Sequence, residues 1–138
     1  MAEKTFRLEI ISPDKVFYTN DVVMAEYNTV EGEVGIYAEH IPMTQIIAPG
    51  RLIITEEEGQ KTAALLSGFV EITKNQVTIL AEAVEWPQNI DVSRAEEARI
   101  RAERILSSDQ GGMDLKRAEN ALLRALTRLD VAEKYKGR

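Results

Sequence analysis

The chain has no cysteine, one histidine and one tryptophan among its 138 residues. Without cysteine there is no disulfide framework, no thiolate nucleophile and no thiolate zinc site. The lone histidine, His40, has no partner set for a metal, which needs three or four ligands. It therefore reads as a structural or interface residue. Catalysis by carboxylates alone fares no better, because Glu31 and Glu33 fall on a turn-like stretch with no evident pocket. No apolar run approaches the ~18 residues needed to span a bilayer. Residues 1–7 lack the basic start and apolar core of a signal peptide. A net charge of −6 and a pI near 4.9 argue against nucleic acid as the main partner. Gly32 and Gly35 lie three apart, but no GxxxxGK[ST] pattern surrounds them. They are expected to serve a turn between strands.

What the chain does have is two unlike halves. Residues 1–86 carry a net charge of −8 and residues 87–138 a net charge of +2. In the first half, Thr5–Ile11 alternates apolar and polar residues with the period of a half-buried strand. Ser12-Pro13-Asp14-Lys15 is a turn. Further short strands are expected at Val16–Tyr18, across Asp21–Asn28, and at Arg51–Glu56 and Thr62–Ser67 around the loop Glu57–Lys61. Two more follow at Phe69–Thr73 and Gln76–Ala81. Strands of this length and spacing point to a β-sandwich or flattened barrel. Trp86-Pro87-Gln88-Asn89 ends the sheet region, since proline disfavours helix for the residue before it and lacks an N–H.

The second half reads as two amphipathic helices joined by a turn at Ser107–Gly112. Asp91 or Ser93 can cap the first. Ala95, Ala98, Ala102 and Ile105 form its apolar stripe, and Leu115, Ala118, Leu122, Ala125, Leu129 and Ala132 form that of the second. Facing stripes make an antiparallel two-helix hairpin. Eight of the ten arginines lie between residues 89 and 138. Arg94 and Arg101 share a row on the first helix, and Arg117, Arg124 and Arg128 share one on the second. Two readings stay open. One is a solvated basic face with Glu97–Arg101 as an ordinary i, i+4 ion pair. The other is an anion site between the helices, with arginine forks for phosphate oxygens and the start of helix one offering free N–H groups.

Several stretches together resemble the epsilon subunit family of bacterial F-type ATP synthase over essentially the whole chain. Glu31-Gly32-Glu33-Val34-Gly35-Ile36-Tyr37 followed by His40-Ile41-Pro42 is similar to the family's EGELGILPGHxP signature. Ser67–Ile72 and Val77–Ala81 resemble its SGGFLEV and VTVLA segments. Ile90-Asp91-Val92-Ser93-Arg94-Ala95 fits an I/L-D-x-x-R-A motif associated with ATP binding in some members. Asp114–Glu119 and Leu129–Ala132 are similar to the second helix. Two departures bear on local turns: Ala38-Glu39 stands where Pro-Gly is usual, and Gly68 where two glycines are common.

The resemblance implies a β plus α protein, with a ten-stranded β-sandwich over residues 1–86 and a helical hairpin over residues 87–138. It implies a non-catalytic rotor subunit of the central stalk, at the cytoplasmic side of the bacterial cell membrane and peripheral to it. The implied partners are the gamma subunit and the c-ring, with Glu33 and His40 facing the c-ring. The alpha and beta catalytic subunits join them when the hairpin extends and inhibits ATP hydrolysis. ATP is the implied regulatory ligand, favouring the compact hairpin, with the need for magnesium left open. Carried over residue by residue, its site is Glu85, Ile90, Asp91, Arg94, Ala95, Arg101, Arg117, Arg124 and Arg128. The alternative is a stand-alone soluble ATP-binding sensor.

Overall fold

The computed structural model describes residues 4–108 and 113–136. The chain divides into two compact units, Met1–Glu85 and Trp86–Arg138. The first holds eight strands: β1 (Phe6–Ser12), β2 (Lys15–Val22), β3 (Met24–Thr29), β4 (Gly32–Ile36), β5 (Met43–Ile46), β6 (Gly50–Glu56), β7 (Gly59–Ile72) and β8 (Gln76–Glu85). Their order in the sheet is β2-β1-β8-β7-β6-β3-β4, with β5 added on β7. Only the β1–β8 pair is parallel among these pairings.

The period-two pattern explains why these segments are strands with one wet face. On β1, Phe6, Leu8 and Ile10 are buried, while Arg7 is exposed and Glu9 half-exposed. On β6, Leu52 and Ile54 point inward in the same way. Val70, Ile79 and Leu65 complete a core with essentially no water contact. Burying each such side chain contributes about 1.5–3 kcal/mol.

The structure has eight strands where ten were expected. Thr62–Ser67 and Phe69–Ile72 are not separate strands but two parts of the 14-residue β7. The first half of β7 pairs with β6 and the last four residues pair with β5, while β8 runs along both. The register with β8 slips between Leu65 and Gly68. Such a bulge bends the strand and lets it turn from one layer of the sandwich to the other. Gly68 has φ +130°, and a Cβ there would run into the Leu80 carbonyl. A single glycine therefore meets the needs of this bulge.

The expectation for Gly32 and Gly35 needs correction. Gly32, at φ +128°, does open β4 after a turn. Gly35 instead lies within β4, opposite Glu26. A Cβ at Gly35 would come within 2.8 Å of the Met24 Cε, so this glycine makes room for a neighbouring strand's side chain. Asp21–Asn28 also divides: β2 ends at Val22 and β3 starts at Met24.

In the second unit Trp86 is extended, and Pro87–Asn89 forms a single 3-10 turn with the proline at its start. Helix α1 spans Val92–Ser107 and α2 spans Met113–Tyr135. Asp91 is the cap of α1, its carboxylate accepting from the Arg94 N–H at 3.0 Å. Ser93 lies inside the helix. The two helices pack on each other. Ala95 and Ala102 are buried on α1, and Ala118, Ala125 and Ala132 on α2. Of the expected inter-helix turn, Asp109–Gly112 lies outside the described residues.

Candidate functional site

Between α1 and α2 lies a cleft of about 390 Å³. Alanines make its floor: Ala98 and Ala102 from one helix, Ala118 and Ala121 from the other. Small side chains leave the space between the helices open, and the charged groups stand at its edge. Arg101 enters from α1, and Arg117 and Asp114 enter from α2. The hairpin thus brings together two of the arginines that the sequence placed on separate helices. Neither has an ion-pair partner among the described residues. Two guanidinium forks over an apolar floor can take the oxygens of a phosphate chain.

The expected Glu97–Arg101 pair does not form. Ion pairing on α1 falls instead on Arg99, which donates to Glu96 three residues before it and to Glu103 four residues after it. The Glu96 carboxyl is held below the usual range, first by its hydrogen bond from Arg99. Arg99 and its two acids satisfy one another along the helix. Arg101, two residues on, points elsewhere and lines the cleft.

The other expected site residues are placed as follows. Asp91, Arg94 and Ala95 share the first turn of α1, and one carboxylate oxygen of Asp91 is engaged in capping. Ile90 is buried, and its carbonyl accepts from the Lys136 ammonium at 3.3 Å. Arg124 and Arg128 lie further along α2, half-buried and outside the cleft lining. Glu85 belongs to the first unit, where it ends β8 opposite Ala64. Asp114 and Lys136 were not picked out from the sequence. Asp114 precedes Arg117 by three residues, which puts both on one helix face, so the spacing was available. Lys136 had no such signal, because its contact joins residues 46 apart.

A second region lies in the first unit. Glu33 is exposed on β4. His40 follows in the next loop, its Nδ1 at 2.8 Å from the Ile41 carbonyl. Glu39, at φ +64°, takes a left-handed conformation without being glycine, and its carboxylate pairs with Lys4 at 3.0 Å. Around this loop apolar side chains face outward: Ile41 is 76% exposed and Tyr37 57%. A second group of exposed apolar residues lies in the same unit. The Val30 N–H donates to the Ile46 carbonyl, Ile46 pairs with Phe69 across strands, and all three are exposed. Grouped exposed apolar residues of this kind mark a contact surface. No group of three or more acidic or imidazole side chains able to hold a metal occurs among the described residues.

Residues 5–87 match the beta-sandwich domain of the ATP synthase Delta/Epsilon chain, and residues 88–133 match its long alpha-helix domain. The chain belongs to this family. Among relatives, the ATP synthase epsilon chain of Shouchella clausii is 46% identical over 96% of this chain and 98% of that relative. The epsilon chain of Caldanaerobacter subterraneus subsp. tengcongensis is 42% identical over 96% and 97%. The fold also recurs in a chain of the Euglena gracilis mitochondrial ATP synthase, solved by cryo-EM with OSCP, F1 and c-ring in rotational state 1. That similarity has a TM-score of 0.79 at 23% identity, covering 94% of this chain and 81% of that one. Within the Delta/Epsilon family, the ladder of strands and the paired helices described above are its two named domains, a beta-sandwich and a long alpha-helix domain.

Proposed function

We propose that this chain regulates an F-type ATP synthase from the central stalk and that its helical hairpin binds ATP. Family membership makes it a non-catalytic, central-stalk subunit of the complex. The gamma subunit and c-ring are its partners through the sandwich. The exposed Ile41 and Tyr37 beside Glu33 and His40 support a contact there. The alpha and beta subunits are partners of the extended hairpin, in which state ATP hydrolysis is inhibited. No helix among the described residues is long and apolar enough to cross a membrane. In this reading the chain meets the bacterial membrane only peripherally, through its complex, on the cytoplasmic side.

The observation that carries the ATP reading is the pair Arg101 and Arg117 on one cleft, without ion-pair partners among the described residues. Those two guanidinium groups would hold phosphate oxygens, and Arg124 and Arg128 extend the positive row along α2. The first turn of α1 adds N–H groups and the Arg94 side chain, with the second Asp91 oxygen left for a sugar or base donor. A ligand at 100 times its dissociation constant stabilises the state that binds it by about 2.7 kcal/mol. A complete swing from 1:99 to 99:1 needs about 5.5 kcal/mol. ATP can therefore bias a nearly balanced hairpin toward its compact form.

Calorimetric titration of ATP into the isolated chain tests this. Wild type is expected to bind, and Arg101→Ala/Arg117→Ala and Asp91→Ala/Arg94→Ala are each expected to lose most of the affinity. Absence of binding in the wild type would remove the nucleotide role and leave the stalk role standing. In a reconstituted complex, deletion of residues 87–138 is expected to raise ATP hydrolysis while assembly persists. Unchanged hydrolysis would rule out inhibition by the hairpin.

A further inference from the structure

The cleft that holds Arg101 and Arg117 also holds Asp114, exposed in the first turn of α2. Like the two arginines, Asp114 is in no ion pair among the described residues. Helix geometry does not require an acid in the cleft wall. Any acid in the first turn satisfies the helix dipole, on whichever face it sits. A carboxylate facing bound phosphate repels it, and the repulsion grows with the charge of the phosphate chain. Arg101 and Arg117 alone would favour the most highly charged, metal-free form of a triphosphate.

With Asp114 beside them the balance changes. A magnesium ion carried by the phosphates lowers their charge. It can also accept a carboxylate oxygen, the usual manner in which this ion is held by one or two carboxylates plus substrate phosphates. The described residues contain no acidic cluster able to hold a cation unaided, so the ion would arrive with the nucleotide. Resting on the ATP reading above, we propose that Asp114 is the specificity-determining residue of the cleft, selecting the magnesium-bound nucleoside triphosphate over the metal-free form.

The test is calorimetry of ATP with excess magnesium and of ATP with a chelator, on the full chain. Wild type is expected to bind about two- to fivefold tighter with magnesium, the effect of one charge at a partly exposed site. In Asp114→Asn the two affinities converge, through a gain in metal-free binding. Asp114→Ser, also well suited to a helix start, behaves the same way, and Asp114→Glu keeps the wild-type ratio. Circular dichroism confirms that α2 is intact in each. An unchanged magnesium ratio in both neutral variants, or a wild type that prefers metal-free ATP, overturns the role of Asp114 and leaves nucleotide binding in place. No ATP binding in either condition overturns both.

Discussion

The Tyr18 hydroxyl donates to the Glu56 carboxylate at 2.6 Å, joining β2, at one end of the sheet path, to β6 in its interior. Asn20 reaches the same oxygen at 3.3 Å and Lys61 approaches it at 3.5 Å. Burial, then Glu56, raises the Tyr18 hydroxyl above its ordinary range. The hydrogen bond from Tyr18 is the main cause holding Glu56 below the usual carboxylate value. Tyr18→Phe is expected to cost about 1 kcal/mol, read as a lower urea midpoint at unchanged slope.

The same pair sets a pH window. A carboxylate with a depressed folded pKa contributes stability above its unfolded value of about 4.3, and that contribution fades as pH falls through the folded value. A phenol with a raised folded pKa contributes below about pH 10 and loses the contribution as pH rises beyond it. The stability gap between wild type and Glu56→Gln is therefore expected to be full at neutral pH and to shrink in acid. A gap that stays constant down to pH 3 would contradict the assignment of Glu56.

Gly68→Ala is expected to destabilise the sandwich by more than about 1 kcal/mol. The substitution combines a left-handed φ with a collision against the Leu80 backbone. Urea unfolding measures it. Gly59→Ala, at φ +157° with open space around it, serves as the milder comparison.

Asp91 has two possible roles that a single alanine variant would confuse. Asp91→Ala removes the cap and is expected to cost about 1 kcal/mol of helix stability. Asp91→Ser keeps a capping oxygen and removes the charge. If the carboxylate binds ligand, Asp91→Ser retains wild-type helicity by circular dichroism yet loses ATP affinity. Wild-type affinity in Asp91→Ser would reduce Asp91 to a cap.

The patch of Val30, Ile46 and Phe69 is expected to serve assembly and not folding. Phe69 is 43% exposed on β7, so Phe69→Asp should leave thermal unfolding within a few degrees of wild type. Incorporation into the synthase complex, followed by co-purification, should fall. Full incorporation of the variant would exclude this patch from the contact.

β1 was legible because one wet face imposes alternation on Phe6–Ile10, and β6 because its apolar Leu52-Ile53-Ile54 run stands before a hairpin loop. β7 was not, because Gly68 looks like a break in sequence and is a bend in space. Gly35 misled for the opposite reason: the residue it accommodates, Met24, is on another strand. In the hairpin, the cap could be narrowed locally to Asp91 or Ser93, and the structure selects Asp91. Which arginine would pair with which acid could not. Arg99 has acids at both favourable offsets, and it forms the pairs where Arg101 was expected to. The meeting of Arg101 with Arg117 depends on the register between helices, which no local pattern encodes.

The seam of alanines between α1 and α2 has a further effect on how fast the hairpin can respond. Alanine has no side-chain torsion to freeze, so Ala95, Ala102, Ala118, Ala125 and Ala132 meet or part without any rotamer being lost or recovered. At these five positions no large knob has to interlock, while Ile105 still lines the space between the helices. A seam of this kind parts by wetting small side chains, which suits the compact and extended states proposed for the hairpin.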